Sequence, residues 1–141
     1  MSVELVLIPL GIAAIAAQRA ARATSVCERC RATVVGDQGL ATETLAALGW
    51  RVLRNEIGAI DVETPAGRST FRLVGEVMLA RVDGAPEHVT LAMISEFDRM
   101  AGLVLQHRGV ARARAQAEAM GMRLIEQQSV DGEIRLVFEE A

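Results

Sequence analysis

The residues most able to do chemistry are the two cysteines, which form one motif, Cys27-Glu28-Arg29-Cys30. Two thiols three residues apart can grip one metal ion from a tight turn, or close a reversible disulfide. A structural zinc site needs four ligands. There is no second CxxC, and the only histidines, His88 and His107, are distant in sequence and not in an HxxxH pair. A zinc site at Cys27 and Cys30 therefore needs both histidines to converge on them, or a second copy of the chain to share the ion through its own CxxC. A thioredoxin-type role needs the motif at a helix N-terminus after a strand. Here it follows an Ala/Arg-rich stretch and precedes Arg31-Ala32-Thr33, which is the wrong order. The guanidinium groups of Arg29 and Arg31 favour thiolate and so reactivity. The plainest alternative is two cysteines in a connecting segment with no chemistry.

Other reactive residues do not assemble into a motif. There is no GxxxxGK[ST] or GxGxxG phosphate loop, and no GxSxG or HExxH. Asp61 with Glu63 and Glu139 with Glu140 sit at strand or chain ends, so no catalytic residues are assigned. His107 falls on or beside an apolar helical stripe and reads as a core-edge histidine. Arg108, Arg112 and Arg114 read as a solvated helix face.

These residues must be positioned by a chain of 141 residues, 51% hydrophobic and 23% charged. That composition excludes a disordered chain, and the length suffices for a core without staples. A net charge of −3 argues against nucleic acid as a partner. Two cysteines do not make a disulfide scaffold. All 15 basic residues are arginine, a codon bias that suggests a high-GC bacterial genome.

The hydrophobic pattern gives the elements. Asp37 or Thr42 caps a helix through Leu40, Thr44, Leu45 and Leu48, which Gly49 ends. Trp50–Arg54, Ala59–Glu63, Ser69–Val74 and Glu76–Val82 read as four antiparallel strands joined by short turns. Glu87–Met120 carries the stripe Met93, Phe97, Met100, Val104, His107, Ala111, Ala115 at helical spacing. It is one long helix with a soft spot, or two helices meeting near Gly109. Met122–Ser129 and Glu133–Glu139 form a hairpin around Asp131-Gly132. The expected fold is α+β, an antiparallel sheet with helices on one face, in a single domain over 33–141.

Residues 1–32 form a separate apolar segment with the CxxC. Leu5–Ala17 has 13 residues without charge, short of the roughly 20 that span a bilayer. The arginines follow the apolar run, where a secretory signal would have them precede it. Val3–Leu10 reads as a buried strand and Gly11–Ala23 as a core helix, which places the chain in the cytoplasm. The alternative is a short membrane anchor through residues 3–17, facing the cytoplasm. A helix with apolar residues on two faces needs two surfaces to pack on, so a homodimer through this helix is expected.

Ala117-Glu118-Ala119-Met120-Gly121-Met122-Arg123-Leu124-Ile125, followed by Asp131-Gly132-Glu133-Ile134-Arg135-Leu136-Val137, resembles the end of a bacterial and plastid family of unknown function, the hypothetical chloroplast reading frame thirty-five family. The likeness is firm over 117–138. Leu45-Ala46-Ala47-Leu48-Gly49-Trp50 is similar to that family's first helix. The apolar segment and CxxC that open this chain are a departure from the family, as is its scarcity of aromatic residues. The resemblance implies a non-enzymatic accessory module with a protein partner, an AAA-type ATPase being the candidate; no cofactor is expected. The alternative is a small metal-binding or redox protein using Cys27 and Cys30, with zinc as the metal.

Overall fold

The computed structural model describes residues 2–7 and 27–141, which make two helices and two antiparallel sheets. The α+β class is observed, with the strands divided between the two sheets. The chain forms two compact units, Met1–Leu10 with Gly102–Ala141, and Gly11–Ala101.

The central unit begins its described part with β2, Arg31–Ala32, followed by helix α1, Gln38–Leu48. Asp37 is extended and its side chain accepts the Leu40 N–H at 2.7 Å, capping the helix start. Gly49, at φ 72°, ends it, and Trp50 N–H returns to Leu45 O, a Schellman closure that an L side chain at Gly49 would strain. Strands β3 (Arg51–Glu56), β4 (Ala59–Thr64), β5 (Gly67–Val74) and β6 (Val77–Val82) then run as the expected meander. The sheet order is β2-β6-β5-β4-β3. Register puts Ile60 beside Phe71 and Phe71 beside Ala80 on one face. That face is buried, and Phe71 meets Phe97 of the following helix with ring centroids 5.0 Å apart. The opposite face carries Asp61, Thr70, Arg72, Leu79 and Arg81, in register with one another.

Glu87–Ala119 is one continuous helix, α2, through both Gly102 and Gly109. Its first half buries Thr90, Met93, Ile94, Phe97, Ala101 and Val104, following the expected stripe. Its second half buries Gln106, Val110 and Ala117. At about 100° per residue these positions are offset from the continuation of the first stripe. His107, Ala111 and Ala115, which that continuation would bury, are exposed. His107 is therefore a surface residue and not a core-edge one.

The other unit pairs β1 (Ser2–Leu7), β8 (Glu133–Glu140) and β7 (Met122–Val130) in the order β1-β8-β7. Asp131 and Gly132, at φ 51° and 79°, make the expected tight turn. Val110, Ala117, Ile134, Leu136 and Phe138 form its core, with Leu7, Ala113, Met122 and Leu124 packed against them. The buried amide of Gln106 donates to Leu7 O and Gly132 O, tying β1 and the β7–β8 turn to the helix. The strand expected at Val3–Leu10 is present as Ser2–Leu7. It is an edge strand among the described residues, paired there with β8 alone, and it is exposed from Ser2 to Val6 where burial was expected. The helix expected at Gly11–Ala23, with the dimer contact placed on it, lies outside the described residues, as does most of the 3–17 segment. Among the described residues, no helix is long and apolar enough to cross a membrane.

Candidate functional site

Cys27 and Cys30 are bonded as a disulfide, with Cα atoms 5.4 Å apart. Cys30 N–H closes the turn onto Cys27 O. Both cysteines are buried, 4% and 3% exposed, in a small apolar cluster with Val77 and Leu79 of β6. Leu79 belongs to the sheet face opposite Phe71, so the disulfide anchors its turn on the face that the α2 aromatic contact leaves free. Glu28 and Arg29, between the cysteines, project outward and are exposed. Arg29 adopts φ 60°, the left-handed region that non-glycine residues occupy only when their surroundings hold them there.

Besides the disulfide, a set of arginines holds the turn. Arg81 Nη1 donates to Glu28 O at 2.8 Å, and its Nε pairs with Asp83 at 3.1 Å. Asp83 also accepts from Thr70 at 2.8 Å, which fixes the carboxylate and through it Arg81. Arg31 Nη1 donates to Cys30 O at 3.0 Å, and its Nε pairs with Glu87 at the start of α2 at 2.9 Å. The loop Gly84-Ala85-Pro86 leads into that helix, whose first turn closes when Val89 N–H reaches Pro86 O. Together these parts enclose an open cleft of about 560 Å³, lined by Glu28, Arg29, Arg31, Arg81, Pro86 and Glu87, among others. Arg29, Arg31 and Arg81 stand there with the acids Glu28 and Glu87 and with Asp83 on Arg81, three charges of each sign, beside the positive end of a 33-residue helix. Among the described residues, Arg29 has no acceptor. The arrangement suits a carboxylate or another oxyanion, which arginine binds through two parallel N–H donors.

Two other charged groupings are structural. Asp61 lies 3.3 Å from Arg72 and 3.9 Å from Arg54, and Arg54 also pairs with Glu56. The hydrogen bond from Arg54, and then its charge, hold the Glu56 carboxyl below its ordinary range. Asp98 on α2 accepts the Val34 N–H at 3.0 Å. Burial raises its pKa from 3.8 to about 6, although that hydrogen bond pulls the other way. Trp50, Pro65, His88, Met93 and Glu96 line a smaller groove of about 330 Å³.

Of the residues singled out in the sequence, Cys27, Cys30, Arg29 and Arg31 come together here. His88 lines the Trp50 groove, and His107 is exposed on the second half of α2. Among the described residues, no group of three or more His, Cys, Asp or Glu is placed to hold a metal ion. Sequence reasoning missed Arg81 and Asp98. Arg81 had a signal: in β6 it breaks the apolar run between Ala80 and Val82, and strand alternation turns it toward the face carrying the CxxC. Asp98 had none, since its partner is a backbone N–H 64 residues away. Comparison with protein-family models, curated proteins and solved structures finds no match.

Proposed function

We propose that this protein is a non-enzymatic binding module that docks an acidic segment of a protein partner in the Arg29–Arg31–Arg81 cleft. The observation that carries the reading is the convergence of three arginines from the turn, β2 and β6 on one open cleft, in a chain whose net charge is −3. An exposed arginine without an acceptor attracts an acidic stretch at that point, giving a salt-sensitive encounter. Glu87 is paired with Arg31 and Asp83 with Arg81, which leaves Glu28 and Arg29 as the remaining charges of the cleft, and Arg29, without an acceptor among the described residues, is the one to meet an incoming carboxylate. The likeness of residues 117–138 to the plastid reading-frame family supports an accessory role, with an AAA-type ATPase as the partner class.

The test is fluorescence anisotropy of the full chain with a fluorescein-labelled hexaglutamate peptide. Binding is expected to weaken at least tenfold in Arg29→Glu, and several-fold when salt rises from roughly 50 to 300 mM. Binding that ignores both, or no binding at all, overturns the reading. The metal-binding alternative at Cys27 and Cys30 requires the disulfide to be reduced first, because the thiolate and not the bonded sulfur ligates a metal.

A further inference from the structure

We infer that the Cys27–Cys30 disulfide is a redox gate on the arginine cleft: oxidised, it presents Arg29 for binding, and its reduction by a dithiol closes the site to acidic ligands. The inference rests on the cleft being the binding site, and it names how that site is regulated.

The argument begins with connectivity. The two residues inside the disulfide ring, Glu28 and Arg29, are themselves cleft-lining residues. No other cleft element is needed to carry a redox change to the site, because the disulfide and the two cleft-lining residues Glu28 and Arg29 share the same four-residue turn. The turn's shape is held at three points: the Cys30 N–H to Cys27 O bond, the Arg81 bond to Glu28 O and the Arg31 bond to Cys30 O. Arg29 sits at φ 60° between them. An arginine leaves that region for negative φ once the chain on either side is free to turn. The disulfide is the covalent restraint that denies it this freedom. When the ring opens, Arg29 rotates out of the cleft. Glu28 O then leaves Arg81, and the cleft loses the one cation that has no acceptor of its own among the described residues.

The chemistry balances with one reagent class, a dithiol. A thiolate of that dithiol attacks one cysteine sulfur, the Cys27–Cys30 bond breaks, and a mixed disulfide forms. The dithiol's second thiol then attacks the mixed disulfide. Cys27 and Cys30 are left as two thiols and the reagent as a disulfide, two electrons and two protons having passed to this chain. Because both sulfurs are buried against Val77 and Leu79, attack requires the turn to lift from the sheet. Exchange is therefore slow compared with ligand binding, as a stable gate requires.

The experiment measures hexaglutamate affinity of the full chain before and after treatment with dithiothreitol. Thiol state is verified by the mass added on alkylation with iodoacetamide, and fold by circular dichroism. The oxidised protein should bind at least tenfold more tightly than the reduced protein. The double variant Cys27→Ser with Cys30→Ser should match the reduced protein and ignore dithiothreitol. If the serine variant does not fold, the reduced wild-type arm carries the comparison alone. Equal affinity in both redox states overturns the gate and leaves the cleft intact. A disulfide that resists dithiothreitol under native conditions also overturns the gate. Absence of binding in both states overturns the cleft and the gate together.

Discussion

Replacing Asp98 with asparagine should make the protein more stable at neutral pH. Asp98 Oδ1 accepts the Val34 N–H at 3.0 Å, and burial raises its pKa from 3.8 to about 6. In the unfolded chain the carboxyl ionises near 3.8, so between that value and about 6 the folded state binds the extra proton. Stability contributed by this group therefore falls as pH rises through the window, and above about 6 the folded protein carries the full cost of a partly buried charge. The pKa gap sets a ceiling of ~3 kcal/mol. Asp98 is only half-buried and water screens it, so about 1 kcal/mol is the expected cost at neutral pH. The asparagine variant keeps an oxygen for Val34 and removes the charge. Asp98→Ala removes both, leaving the Val34 donor without its acceptor, at ~1–3 kcal/mol. Urea unfolding followed by the fluorescence of Trp50, the single tryptophan and a buried one, reads all three proteins. Asp98→Asn should gain about 1 kcal/mol at about pH 7.5, and progressively less below about pH 6. A gain of the same size at about pH 5 and about pH 7.5, or a loss at both, refutes the reasoning.

Other substitutions probe the packing and the caps. Gly109→Val should destabilise by about 1–3 kcal/mol in thermal melts, because a Cβ there lies 2.8 Å from Leu7 Cδ2. Gly109→Ala should stay within about 1 kcal/mol of wild type, since the end of a leucine side chain can rotate away and alanine favours the helix. Phe97→Ala removes half of the Phe71–Phe97 contact from a fully buried site and should cost ~3–5 kcal/mol in urea unfolding. Asp37→Ala should cost about 1 kcal/mol by the same measurement, with Asp37→Asn recovering most of it, because only the oxygen that accepts from Leu40 matters.

Local rules carry much of the fold. The Asp37 and Gly49 caps, the four-strand meander and the Asp131-Gly132 hairpin each depend on neighbours a few residues apart, so their signals are present in short windows. The second half of α2 departs from expectation because a helical stripe cannot be extended at constant spacing past Val104. Two separate cores make different demands on one helix, and no period read along the chain contains that change. The apolar residues Val3, Leu5 and Leu7 make β1 look buried. Whether an apolar strand is central or at an edge depends on how many strands flank it, which its own residues do not encode. At the site, the CxxC and its flanking arginines are legible as a motif. Their meeting with Arg81 and the start of α2 is not, because it depends on β2 pairing with β6 across roughly 50 residues.

The pairing of β1 with β8 has a consequence for how the chain is made. Leu7 lies opposite Ile134 and Ser2 opposite Glu139, partners separated by roughly 130 residues. At ribosomal rates of about 5–20 residues per second, β1 emerges on the order of ten seconds before β8, its strand partner among the described residues, exists. During that interval Val3-Glu4-Leu5-Val6-Leu7 is an apolar strand with both edges open, the kind of segment that seeds intermolecular β-pairing. Glu4 is the single charge in it. In the finished fold Glu4 pairs with Arg135 of β8 at 3.1 Å, a surface contact of little value to stability. Before β8 is synthesised the same carboxylate has a different role, as the gatekeeper that keeps nascent copies of the strand apart. Glu4 thus answers to a state of the chain that the folded structure does not contain, and its removal should lower the yield of soluble protein far more than its melting temperature.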